Sequence, residues 1–178
     1  MQARRSTAAL LIALVGLAAP VAAQDRPETR IARDIVRNVN NYSHFTIFDD
    51  VNFSIEEGLV TLTGKVTMPY KKEDIGRRIA GIDGVREVLN RIDVLPVSTF
   101  DEDLRYRIAR AIYGSPTFWS HAAMAHPPIH IIVERGRVTL TGVVNSNVER
   151  MLARSLATGW GELSVSNELR TDADMKSD

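Results

Sequence analysis

The chain has 178 residues, with 22 Lys and Arg balancing 22 Asp and Glu, and no cysteine. Without cysteine it has no structural disulfide, no thiol nucleophile and no thiolate metal site. Its balanced charge argues against nucleic acid as the main partner.

The first 23 residues read as a secretory signal: Arg4 and Arg5, an apolar run from Ala8 to Ala19, then the small residues Val21-Ala22-Ala23 at a cleavage position. A retained membrane anchor is the alternative. It is disfavoured because Pro20 interrupts the run, which is shorter than the roughly 20 residues a spanning helix needs. Cleavage would start the mature chain at Gln24 and leave 20 basic against 22 acidic residues, a net of minus 2. A lipid-modified N-terminus would need a cysteine, so the expectation is a free protein of a bacterial periplasm. The 155 residues that remain (178 minus 23) suffice for two small domains.

Duplication is written into the chain. Val60-Thr61-Leu62-Thr63-Gly64 returns unchanged as Val138-Thr139-Leu140-Thr141-Gly142, and the flanking residues match as well. Each unit is expected to open with a helix, because Asp25-Arg26-Pro27-Glu28 and Thr99-Phe100-Asp101-Glu102 each place a capping residue three before a Glu. Ile31 and Ile35, answered by Ile108 and Ile112, mark the buried face.

A hairpin follows. Val51, Phe53 and Ile55 alternate with polar residues, as do Val60 and Leu62, and Ile129, Ile131, Val133, Val138 and Leu140 repeat the pattern. Glu57-Gly58 and Arg135-Gly136 supply tight turns, while Gly64 and Gly142 are expected to end the strands. A second helix carries Ile75 and Ile79, answered by Leu152 and Leu156, with Ser146 capping the later copy through Glu149. The last strand alternates Val88, Asn90, Ile92 and Val94, answered by Val165, Asn167 and Leu169.

The expectation is an α+β protein of two tandem αββαβ domains, each a three-stranded sheet covered on one face by two helices. The first domain spans 25–95 and the second 99–171, with a linker at 96–98 and a disordered tail at 172–178. The copies align at an offset of 77 in the first helix and 78 in the hairpin, returning to 77 from the second helix onward.

The hairpin glycines Gly58, Gly64, Gly136 and Gly142, with the stretches Gly84-Val85-Arg86-Glu87-Val88-Leu89-Asn90 and Gly161-Glu162-Leu163-Ser164-Val165-Ser166-Asn167, resemble the BON domain family, named for bacterial OsmY and nodulation proteins. The second copy departs from the pattern in lacking Val after Gly161. The resemblance implies a periplasmic, non-enzymatic envelope module that contacts phospholipid and supports envelope integrity or osmotic stress tolerance. It implies no catalytic set and no cofactor. A protein-interaction adaptor or chaperone for envelope proteins, working through a sheet edge or an open sheet face, is the alternative.

Several side-chain groups invite chemistry. His121, His126 and His130 cluster before the second hairpin, but Pro127 and Pro128 and the missing carboxylates favour a solvated loop over a metal site. Ser115 and Ser120 near His121 lack a nucleophile elbow. Lys71, Lys72, Arg77 and Arg78 alternate with Glu73 and Asp74, which predicts a solvated helix face.

The sharper feature is the first helix of the second copy, where Tyr106, Arg110 and Tyr113 fall opposite the core stripe and Phe118 and Trp119 follow in the loop. The first copy has Thr29, Arg33 and Val36 at the matching positions. Amphipathic rings beside a cation suit an anionic phospholipid headgroup surface. Packing against the other domain or within their own, and a protein-partner site, are the competing readings.

Overall fold

The computed structural model describes residues 28–175, so the expected signal and most of the first capping box lie outside the described residues. The first unit comprises α1 (Glu28–Asn40), β1 (Asp50–Glu56), β2 (Leu59–Val66), α2 (Pro69–Ala80), β3 (Glu87–Asn90) and β4 (Asp93–Val94). The second comprises α3 (Thr99–Tyr113), a 3-10 turn (Pro116–Phe118), α4 (Trp119–Ala122), β5 (Ile129–Glu134), β6 (Arg137–Val144), α5 (Asn147–Leu156), β7 (Ser164–Asn167) and β8 (Arg170–Thr171). In each sheet the second strand is central: β1 pairs with β2 antiparallel, and β3 and β4 pair with β2 in parallel as two pieces of one interrupted strand. The later copy repeats this with β5, β6, β7 and β8.

Both hairpin turns place two successive residues at positive φ, 48° and 83° for Glu57-Gly58 and 52° and 73° for Arg135-Gly136. That is the type I′ geometry whose twist matches the strands it joins. An acid from the opening helix holds each turn. Glu28 accepts from the Glu57 N–H at 3.1 Å, and Asp101 accepts from the Arg135 and Gly136 N–H groups at 2.7 and 2.8 Å. The helix cap itself lies one residue before the expected Thr99: Ser98 accepts from the Asp101 N–H at 3.2 Å.

Gly64 and Gly142 do not end their strands. Each lies inside β2 or β6, at φ of 114° and 108°, because a side chain there would collide with the carbonyl oxygen of Asp50 or Pro128, 2.2 and 1.8 Å from the would-be Cβ. The strand runs two residues further so that Lys65 and Val66 can pair with β4.

The helices and strands bury one face. Ile31, Ile35, Ile75, Ile79, Val60 and Leu62 form the first core, and Ile108, Ile112, Val138 and Leu140 anchor the second. The expected match of Leu152 and Leu156 to Ile75 and Ile79 is off by one residue. Ala153 and Ala157 are fully buried, while the two leucines are only partly so. A conserved bond geometry gives the same register: the Asn90 amide donates to the Lys72 carbonyl and the Asn167 amide to the Arg150 carbonyl, both at 2.8 Å. Lys72 and Arg150 are 78 apart, so the second helix keeps the hairpin offset and the lost residue falls in the turn after it.

The same asparagines explain the interrupted strand. Asn90 Oδ1 accepts from the Ile92 N–H at 3.2 Å, and Asn167 Oδ1 from the Leu169 N–H at 3.3 Å, so each side chain bridges the break. The break resets the alternation: Leu95 is buried and Val94 exposed, the reverse of the expected pattern. Beyond β8, Asp172–Met175 form one helical turn within the segment expected to be a disordered tail, and Asp174 accepts from the Thr171 N–H at 2.8 Å.

The loop between α1 and β1 joins the domains, and one carboxylate shapes it. Asp49 is fully buried and accepts from the N–H and Oγ1 of Thr46 at 2.9 and 2.8 Å, from those of Thr67 at 2.8 and 2.9 Å, and from Lys71 Nζ at 2.6 Å. Lys71, expected on a solvated face, is therefore buried. Held this way, the loop presents the Ile47 carbonyl to the Ile131 N–H at 2.7 Å, on the free edge of β5. The Asp49 carbonyl lies 2.6 Å from His130 Nδ1, and Lys65 pairs with Glu134.

Burial alone would raise the Asp49 pKa, but its bonds to Lys71, Thr67 and Thr46 outweigh that and hold it below the ordinary carboxylate range. A depressed folded pKa gives stability that is present above the unfolded value, about 3.9, and is lost as pH falls through the folded one. Lys71→Ala, which strands the buried carboxylate, should cost about 3–5 kcal/mol in urea unfolding at neutral pH. The stability gap between the native chain and Asp49→Asn should close as pH is lowered below about 4.

Candidate functional site

On α3 the residues Leu104, Ile108 and Ile112 are buried, and the opposite face exposes Tyr106, Arg107 and Arg110. Tyr106 is 49% and Trp119 63% exposed. Gly114 stops the helix, and the Trp119 indole N–H reaches back to the Gly114 carbonyl at 3.4 Å, so the Trp ring lies by the C-terminal end of α3. Tyr106, Arg107 and Arg110 are thus exposed along α3, and Trp119 is exposed beside its C-terminal end.

Two of the five candidate residues turn inward. Phe118 is fully buried because the 3-10 turn folds the chain back after Gly114 and drives the ring into the core. Tyr113 is half-buried, donating to the Ile129 carbonyl at 2.5 Å and accepting from the Ile129 N–H at 3.1 Å, and burial pushes its phenol pKa up. Tyr106 also makes an interdomain contact: its ring meets Phe48 edge-on, with centroids 5.1 Å apart. Self-packing therefore accounts for Phe118 and much of Tyr113, and interdomain packing for one side of Tyr106.

The three histidines go to separate places. His121 is buried beside Asn145 and Glu149, His126 is exposed, and His130 faces the first domain. Among the described residues no group of three or more His, Cys, Asp or Glu is placed to hold a metal ion. In the basic stretch on α2, Arg78 lies 4.8 Å from the centre of the buried Tyr42 ring and Arg77 pairs with Asp74.

A profile of the BON domain matches residues 27–96 and again residues 101–173. The chain belongs to the BON domain family. Membership supports a role at the membrane or cell envelope and fits the two αββαβ units. The BON motif residues prove to be scaffold: the glycines fit turns and close strand approaches, and the asparagines bridge the broken strand. The Val missing after Gly161 also has a local account. Glu162 stands there instead, and its carboxylate accepts the Gly159 and Trp160 N–H groups at 2.8 Å each, bonds that hold its pKa below the ordinary range.

Among the solved structures that this BON protein resembles are two of CdsD, a structural protein of the type III secretion system of Chlamydia trachomatis. The first is 13% identical, with 84% of this chain and 96% of that chain covered and a TM-score of 0.30. The second, the C-terminal domain, is 12% identical, with coverages of 78% and 96% and a TM-score of 0.27. No curated protein matches the chain.

The edge-to-face pair predicts measurable coupling between the domains. A double-mutant cycle of Phe48→Ala and Tyr106→Ala, read by urea unfolding, should give an interaction of about 0.5–1.5 kcal/mol.

Proposed function

We propose that this BON protein is a non-enzymatic, exported protein of the periplasm that binds anionic phospholipid surfaces through its second domain and supports envelope integrity under osmotic stress. The observation behind this reading is that α3 carries a half-exposed tyrosine and two exposed arginines, with an exposed tryptophan beside its C-terminal end. Such rings bury their bodies at a headgroup interface while their polar tips stay wet, and each arginine near an anionic surface adds about 1 kcal/mol. Among the described residues no helix is long and apolar enough to cross a membrane, which accords with peripheral binding.

A second reading has its own support. β5 has its outer edge engaged by the first domain, whereas β1 pairs only with β2 among the described strands. An open edge can accept a strand from an envelope protein, giving an adaptor or chaperone.

Co-sedimentation with vesicles separates the two. Binding should rise with the fraction of phosphatidylglycerol and fall as salt is raised from about 0.05 to 0.5 M. The Arg110→Glu, Trp119→Ala double variant should bind at least about tenfold more weakly. Unchanged binding by that variant would remove α3 as the membrane surface, and no binding at any lipid composition would leave the adaptor reading.

A further inference from the structure

A cleft of about 510 Å³ lies between the domains, on the sheet face opposite the second core. Its floor and one wall come from the second domain, where Arg137, Thr139 and Thr141 form the outward row of the central strand β6 and Ile132 stands opposite Thr139. Arg135, on the hairpin turn, stands at one end. The first domain supplies the other wall through Asp50, Gly64 and Lys65. The volume falls within the range of about 300–1,000 Å³ typical of small-molecule sites.

The charges in this cleft are arranged unevenly. In the strand register Arg137 stands directly opposite Glu134, its natural partner, but the Glu134 carboxylate is taken by Lys65 of the first domain. Docking of the domains therefore leaves Arg137 with no acid at ion-pair distance among the described residues, while Arg135 attracts Glu134 from a longer range. The remaining acids, Asp50 and Glu168, accept from the neutral side chains Asn52 and Ser166. Within the row, the Thr141 hydroxyl is buried and has no hydrogen-bond partner among the described residues. The first copy carries Glu57 and Leu59 where the second carries Arg135 and Arg137, so the cations arose on one copy alone.

We propose that this cleft binds a small phosphorylated polyol. The two guanidiniums form charge-assisted, forked bonds to the phosphate. Thr139 and Thr141 lie along the strand within reach of the polyol, and Asp50 and Glu168 accept from its hydroxyls. A bound hydroxyl beside Thr141 would also satisfy its side chain. Because both domains form the walls, the ligand bridges them. The site is separate from the outer face of α3 and does not depend on the membrane reading.

Titration of the full chain with glycerol 1-phosphate, followed by amide NMR shifts with glycerol as the neutral control, tests the proposal. Saturable shifts should centre on Lys65, Arg137, Thr139 and Thr141, glycerol should cause none, and Arg137→Gln should weaken binding at least about tenfold. Arg137 is exposed, so the variant should stay folded, which its amide spectrum reports directly. Absence of saturable shifts, shifts centred on α3, or unchanged affinity in Arg137→Gln would overturn it. Given binding, competition by phosphatidylglycerol vesicles identifies the source as a lipid headgroup, and lack of competition identifies a soluble phosphate.

Discussion

The carboxylate of Asp49 is the point from which the arrangement of this protein follows. A carboxylate removed from water is costly unless its oxygens are all engaged, and here two threonines and a lysine engage them at five contacts. Those partners come from the loop before β1, from the end of β2 and from the first turns of α2, so one group fixes the path of the loop relative to its own domain. The loop in turn holds Ile47, Phe48 and the Asp49 carbonyl against the second domain. An edge strand is thereby covered, and two small cores become one body.

Divergence between the copies gains meaning from that docking. Thr67 and Lys71 are answered in the second copy by Asn145 and Glu149, the latter beside the buried His121 rather than an aspartate. The second copy thus lacks the aspartate that shapes the docking loop in the first, and it carries the aromatic and arginine residues of α3 and the arginines of the cleft instead. A shared scaffold has been given two different surfaces, one of which holds the neighbouring domain. Lys65 illustrates how the two roles connect, since its pairing with Glu134 both joins the domains and leaves Arg137 with no acid at ion-pair distance among the described residues.

Much of the fold was legible in the sequence because period-two and helical patterns report burial directly. The repeated hairpin, its turn glycines Gly58 and Gly136 and the stripe Ile31, Ile35, Ile108, Ile112 are local signals, and the structure places them as expected. The second helix was misread by one residue because Leu outranks Ala as a core candidate, although small residues are what close helix packing there accommodates. Asp101 looked like part of a cap because its role, holding a turn 35 residues away, has no local signature. The candidate surface was only partly legible for a related reason. Helical spacing placed Tyr106 and Arg110 outward correctly, but the fate of Phe118 depended on a chain reversal after Gly114 that periodicity does not encode. Asp49 and Lys71, 22 positions apart, could be paired only by the path of the chain.

The first domain's loop, shaped by Asp49, closes the edge of β5. Hydrogen exchange at the single amide of Ile131 measures this most directly. That N–H should be protected in the native chain and lose protection in Asp49→Ala while the amides between β5 and β6 keep theirs. Exchange of Ile131 in the native chain at the rate of an open edge strand would contradict the account.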